Sequence, residues 1–333
     1  MVPNTATRDR ALGALTGLAI GDALGMPTQL MSRLAVGRRY GAITDFEAAA
    51  LDHPIAAGMP AASITDDTEQ ALLVAGLLIA GHGHVAPGDV AQALVAWEDR
   101  MRARGSLDLL GPSTTRAVQA ILAGESAEAA GRFGTTNGAA MRIAPVGLVV
   151  ASSQLEALVD RVVEVSSASH NTSVAIAGAA AVAAAVSAAI DGESWTDVLS
   201  FASAAAERGS ERGHWVAGGD VSSRIRLAVE LADPDDVETS LDDLYALIGT
   251  SLATQESVPC AFGLLALFPD DPWRAMCAAA TLGGDSDTIA ALIGAVGGAM
   301  LGARALPATA VERVIAVNSL ELGPIVDDLL ALR

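Results

Sequence analysis

Residues 172–190 read TSVAIAGAAAVAAAVSAAI, nineteen positions without a charged side chain. Length and apolarity alone would suit a membrane span, because about 20 apolar residues cross the hydrocarbon layer of a bilayer. Composition argues against that reading. Alanine contributes little insertion energy beside leucine or phenylalanine, and Ser173, Gly178 and Ser187 lie within the run. Alanine is also the best helix former, and its small side chain lets neighbouring helices approach closely. The segment therefore predicts a buried helix at the centre of an all-α protein.

Helical periodicity or helix-compatible apolar runs extend outward from this centre. They cover about 8–25, 68–80, 87–104, 113–123 and 155–165 before it, and 195–208, 222–232, 241–254, 258–268, 272–282, 288–301 and 308–318 after it. No comparable set of alternating strand patterns competes with them. The intervening segments are short and punctuated by Gly, Pro, Asp and Ser, and none has the character of an interdomain linker. The expectation is a single domain over 1–333, a compact orthogonal bundle of about a dozen helices. Gly13, Gly17 and Gly21, four apart on the first helix, predict a groove for close helix packing rather than a phosphate loop.

The chain has 333 residues, 51% of them hydrophobic and only 3% aromatic, so the core must be built from small side chains. Its net charge of −19 excludes nucleic acid and anionic membrane surfaces as direct partners, since both are held through Lys and Arg. Residues 1–10 are polar and carry no apolar signal segment, which predicts a cytoplasmic location. Cys260 and Cys277 lie in apolar surroundings without metal-ligand spacing. They read as small buried hydrophobes of a reducing compartment.

Two acidic clusters stand out, Thr65-Asp66-Asp67-Thr68 and Asp285-Ser286-Asp287-Thr288, each opening into an apolar helix. Asp and Thr at a helix start can cap orphan N–H groups and complement the helix dipole, and Asp66 and Glu69 have capping-box spacing. Each cluster nevertheless holds more carboxylates than a cap requires. Brought together, the two would form an all-oxygen site for hard divalent cations, enough for two octahedral ions that keep some waters. Two such ions can orient a diol or activate water for hydrolysis.

Five strings occur in an order that resembles the ADP-ribosylglycohydrolase family: Ile20-Gly21-Asp22-Ala23-Leu24-Gly25, the Thr65–Thr68 cluster, Asn137-Gly138-Ala139-Ala140-Met141-Arg142, Ser169-His170 and Gly284-Asp285-Ser286-Asp287-Thr288. The resemblance spans nearly the whole chain. It implies an all-α fold around a dinuclear magnesium or manganese centre that cleaves the N- or O-glycosidic bond at ribose C1 of ADP-ribose adducts. Carried across, it makes Thr65, Asp66, Asp67, Asp285, Asp287 and Thr288 metal ligands; from that arrangement we expect Asp66 or Asp67 to serve as the base. It places Asp22, Gln29, Asn137, Gly138, Ala139, Met141 and His170 against the substrate. Asp108 joins them less directly, because its distance to the following Gly is longer by one residue than in the family segment. By themselves, the Asn137–Arg142 segment reads as a turn entering a short helix, and His170 as a cap or a satisfied core histidine.

One departure bears on the chemistry. Seven residues after Asp22, where several family members place a glutamate near the scissile bond, this chain has Gln29. A carboxamide cannot act as a general base at neutral pH. Asp45, Glu47 and Asp52, in the loop-rich stretch that follows, can be read as part of a lid or as solvated charges. The expected activity is removal of ADP-ribose from a protein side chain such as arginine. Hydrolysis of a small ribosylated metabolite or nucleoside is the alternative, and a non-catalytic ADP-ribose-binding or structural protein of the same fold is the second.

Overall fold

Gly13, Gly17, Gly21 and Gly25 form one stripe along the first helix, and each faces the backbone of a helix near the far end of the chain. A methyl group on these four glycines would lie 2.1, 2.1, 1.9 and 2.3 Å from the carbonyl oxygens of Gly298, Gly294, Ala290 and Ser286, respectively. Gly294 and Gly298 return the contact against the carbonyls of Gly17 and Gly13. Two antiparallel helices thus touch backbone to backbone, which only residues without a side chain permit. The groove expected from the glycine spacing is present and extends one turn further, to Gly25.

The computed structural model describes residues 4–106 and 110–333. Among these are eighteen α-helices and no β-strand. The first six are α1 (Thr5–Gly25), α2 (Arg33–Arg39), α3 (Asp66–Ala80), α4 (Pro87–Ala103), α5 (Pro112–Leu122) and α6 (Ala127–Ala130). Then come α7 (Gly138–Met141), α8 (Ala144–Val149), α9 (Leu155–His170), α10 (Ser173–Asp191), α11 (Trp195–Ser210) and α12 (Val221–Glu230). The chain closes with α13 (Val237–Asp243), α14 (Thr254–Leu267), α15 (Pro272–Leu282), α16 (Ser286–Leu301), α17 (Ala308–Asn318) and α18 (Leu322–Leu330).

Helix α10 is the expected central helix. Its most apolar window has a mean hydropathy of 2.1 and is entirely buried, covered by α7, α8, α9, α11, α14 and α16. Thr172 caps its start by accepting from Ala175 N, and Gly192, at φ 91°, ends it in the left-handed conformation that glycine adopts without strain. One continuous apolar core runs from Ala11 to Leu330 and includes both cysteines. Burial raises each thiol to about 12.

The helix expected over 241–254 is not continuous. Helix α13 ends at Asp243, a π-helical turn spans Leu244–Ile248, and Gly249 at φ 92° breaks the path before α14. Short helices α2, α6, α8 and α18 were not anticipated, and they raise the number above a dozen. The acidic residues read as lid or solvated charges include two surface ion pairs, Arg39–Asp52 at 2.6 Å and Arg313–Asp45 at 3.8 Å.

Candidate functional site

The first cluster opens α3, and its capping group comes from another helix. Asp22, near the end of α1, is fully buried and accepts from Thr65 N at 3.0 Å, Thr65 Oγ1 at 2.7 Å, Thr68 N at 3.1 Å and Thr68 Oγ1 at 2.5 Å. Burial raises its carboxyl to about 6, against the lowering effect of those hydrogen bonds. Asp22 was expected against the substrate, but it lies beneath the site, where it fixes the cluster. Asp66 and Glu69 form no capping box. Glu69 instead accepts from Trp97 Nε1 at 2.7 Å, and Thr65 is the N-cap residue, with its hydroxyl accepting from Asp67 N at 3.4 Å.

The second cluster enters α16 through two glycines in the left-handed region, Gly283 at φ 72° and Gly284 at φ 73°. This turn is held by three backbone hydrogen bonds from two segments. Leu30 N donates to Gly284 O at 2.6 Å, Gly284 N to Met31 O at 2.8 Å and Asp285 N to Thr250 O at 2.7 Å. Asn137 then fixes the carboxylate, donating through Nδ2 to Asp285 Oδ2 at 2.5 Å and to Ser257 Oγ at 2.9 Å. Asn137 is itself anchored by its backbone N–H to Leu252 O at 2.9 Å. The clusters meet where Thr288 Oγ1 donates to Asp67 Oδ2 at 3.2 Å.

Together they wall a cavity of about 250 Å³ whose lining includes Asp66, Asp67, Asp285, Asp287 and Thr288. No Lys, Arg or His is among its described lining residues. The Asp67 carboxyl is raised well above its usual range by burial and then by the charges of Asp287, Asp66, Asp22 and Asp285. Burial also raises Asp285 to about 6. The buried Asp67 Oδ1 receives no hydrogen bond from the protein. Carboxylates with a buried, unmet oxygen and no countercharge in the described lining are the donor chemistry that a hard divalent cation takes, although among the described residues no three of them stand within joint ligating reach in this conformation.

Behind Asp66 lies a buried polar chain. Gln70 Nε2 donates to Asp66 Oδ2 at 2.8 Å, Arg142 Nη1 donates to Gln70 Oε1 at 2.7 Å, and Arg142 Nη2 reaches Ser169 Oγ. Desolvation lowers the Arg142 guanidinium to about 10. His170 sits at the end of this chain, with Nδ1 beside Ser169 Oγ at 2.8 Å and Nε2 beside Thr136 Oγ1 at 3.0 Å. Burial and the Arg142 and Arg116 charges depress it well below 6.5, so it stays a neutral imidazole.

Of the expected substrate contacts, Gln29, Asn137, Gly138 and Met141 line the cavity. Ala139 and His170 are buried outside that lining, as is Thr65, which was expected as a metal ligand. The Thr65 hydroxyl is engaged with Asp22, and His170 packs behind Gly138, where an added methyl would meet its ring at 2.8 Å. Asp108 lies outside the described residues. The sequence reading missed the polar supports Gln70 and Ser257 and the apolar walls Leu30, Ile55 and Leu252. Arg142 stood within a quoted motif without an assigned role.

The family model described as ADP-ribosylglycohydrolase matches residues 3–333. The chain is 34% identical over 316 residues to the uncharacterized protein YegU of Escherichia coli (strain K12), covering 95% of this chain and 94% of that one. It is 34% identical to an uncharacterized protein of Archaeoglobus fulgidus over 86% of this chain and 85% of that one. A shorter match, 30% identity over 42% of this chain and 44% of the other, is to the ADP-ribosyl-[dinitrogen reductase] glycohydrolase of Rhodospirillum rubrum. A solved structure titled "ADP-ribosylglycohydrolase-related protein complex" shares the fold at a TM-score of 0.73 and 23% identity, with 99% of each chain covered.

Proposed function

Because the chain belongs to the ADP-ribosylglycohydrolase family, we propose that it is a divalent-cation-dependent hydrolase of the N- or O-glycosidic bond at C1 of a ribosyl group. The observation that carries the proposal is the convergence of Asp66, Asp67, Asp285 and Asp287 on one cavity whose described lining holds no basic side chain. These carboxylates, with Thr288, would hold two ions, Mg²⁺ or Mn²⁺. Bound there, such ions would neutralise the site and hold the ribose hydroxyls.

The rest of the work falls to the chain itself. Asp66, oriented by Gln70 and Arg142 behind it, accepts a proton from the attacking water. Asp67 is the other carboxylate available for that role. Asn137 keeps Asp285 aimed at the cavity. Positive charge that develops on the ribosyl ring as the C1 bond breaks faces carboxylate oxygens and no basic side chain of the described lining. The apolar wall keeps bulk water from competing.

The Rhodospirillum rubrum relative carries ADP-ribosyl-dinitrogen reductase in its name. By analogy, an ADP-ribosylated side chain such as arginine is one candidate substrate here, and a small ribosylated molecule is the other. The test is release of ribose or ADP-ribose from a panel of ribosyl compounds with Mg²⁺ or Mn²⁺ and after chelation. Inactivity on every ribosyl bond, or activity indifferent to chelation, would overturn the proposal.

A further inference from the structure

Gln29 lines the cavity and is 4% exposed, yet its Nε2 finds no acceptor in the protein. A buried amide donor left unmatched is costly unless a ligand meets it. Its position is tightly held. Thr28 Oγ1 lies 2.9 Å from Ser286 Oγ, and the neighbouring Leu30 N is bound to Gly284 O at 2.6 Å. The Gln29 carbonyl meets His53 Nε2 at 2.9 Å, while His53 Nδ1 accepts from Ala56 N at 2.9 Å, which leaves the ring proton on Nε2. Leu30, at φ 60°, is a non-glycine residue in the left-handed region at the mouth of the site, and it is 51% exposed. The amide and this leucine share the cavity with Ile55, Met141, Pro112 and Leu252.

The chemistry of these groups sorts the substrates. An arginine adduct presents a cationic guanidinium, whose charge a carboxylate at this position would offset and the neutral Gln29 amide does not. A diphosphate calls for cationic partners, and the described lining supplies no basic side chain, while the ions proposed above are taken up by the ribose hydroxyls. At about 250 Å³, the cavity also falls below the roughly 300–1,000 Å³ that encloses a drug-sized ligand. What matches an amide donor among apolar walls above an acidic floor is a ribose joined to a neutral, flat group that carries an acceptor.

Building on the ribosyl-hydrolase reading above, we propose that the leaving group is a neutral planar heterocycle, as in a ribonucleoside, with Gln29 Nε2 donating to its carbonyl or ring nitrogen and Leu30 packing on its face. Water adds to ribose C1 as the C1–N bond breaks, and the bonding pair leaves with the heterocycle nitrogen. A proton from the water goes to the carboxylate, and the heterocycle leaves protonated from solvent. The Gln29 donor stabilises the negative charge that gathers on the departing ring.

The test uses the full chain with Mn²⁺ and compares adenosine, inosine and uridine with ADP-ribosylarginine. The expected result is ribose release from at least one nucleoside, with kcat/KM about tenfold or more above that for ADP-ribosylarginine. Gln29→Ala should lower nucleoside kcat/KM about tenfold, the scale of one lost hydrogen bond. By calorimetry it should weaken nucleoside binding while leaving ribose binding and the melting temperature near wild type. Preference for ADP-ribosylarginine overturns the leaving-group assignment and leaves the hydrolase reading intact. Loss of ribose binding in Gln29→Ala, or unchanged nucleoside kinetics, overturns the role given to Gln29. Failure on every ribosyl compound overturns both readings.

Discussion

Replacing Gly21 with alanine tests whether backbone contact between α1 and α16 holds the two ends of the chain together. The new methyl would lie 1.9 Å from Ala290 O, about 1.5 Å short of ordinary contact at 3.4 Å. Neither partner atom can swing away, because both belong to helix backbone, so the helices must separate or bend. Overpacking of this kind costs about 1–3 kcal/mol or more, and a rigid backbone partner puts it at the upper end. Alanine returns up to ~1 kcal/mol through helix propensity. The net expectation is a loss of about 2–3 kcal/mol, seen as a fall on the order of 5 °C in the melting temperature. Gly76 supplies the control, since it lies within α3 with nothing within 4 Å of an added methyl. There the propensity gain stands alone, and Gly76→Ala should stabilise by about 0.5–1 kcal/mol. Thermal melts of both variants followed by circular dichroism provide the readout. A Gly21→Ala protein that melts at or above wild type would refute the packing argument.

Asp66→Ala and Asp287→Ala should each abolish Mn²⁺ binding measured by calorimetry while the helical spectrum is retained; a wild-type isotherm in either would remove that residue from the ligand set. His170 stays neutral in the fold but titrates near its ordinary 6.5 once unfolded. Its depressed pKa therefore penalises the folded state as pH drops below about 6.5, by up to ~1.4 kcal/mol per pH unit. The stability difference between wild type and His170→Gln, from urea melts at pH 7 and 5.5, should shift toward the variant at the lower pH; a constant difference would mean that His170 protonates in place. Arg333 donates to Gly147 O at 2.7 Å, Val150 O at 3.0 Å and Asp191 at 2.7 Å with a side chain only 10% exposed. Arg333→Ala should cost about 2–4 kcal/mol because it strands those acceptors, and a loss below 0.5 kcal/mol in urea melts would show that water replaces them.

The long elements were legible because their signals are local. The alanine run of α10 and the glycine spacing of α1 reveal their environments without knowledge of any partner. Helices α8 and α18 are short and carry Pro145 and the Gly323-Pro324 pair, residue types that give no helical pattern in sequence, although proline sits comfortably in a first turn, where no intrahelical acceptor awaits its nitrogen. The 241–254 stretch misled in the opposite sense. Its apolar spacing suited a helix, but Gly249 takes a positive φ at a place where an added methyl would meet Glu256 Oε2 at 2.4 Å.

At the site, carboxylates that cluster in sequence announced themselves. Asp22 did not reveal its role, because both residues that bind it lie more than 40 positions away and only the fold shows that it faces a helix start rather than a ligand. Gln70 and Arg142 were silent for the same reason. A polar residue in an apolar helix gains meaning only through the partner the fold brings to it.

The wholly buried α10 bears on how the chain reaches its fold. Helices α7, α8 and α9, which cover part of it, precede it in the chain, but α14 and α16 follow, and α16 ends at Leu301, 110 residues after Asp191. At translation rates of about 5–20 residues per second, the most apolar segment of the protein waits on the order of 5–20 s for its last cover. During that interval the nascent chain displays a stretch that reads by length and hydropathy as a membrane span. Alanine, which keeps the run weakly attractive to a bilayer while building a strong helix, lets the chain wait in water.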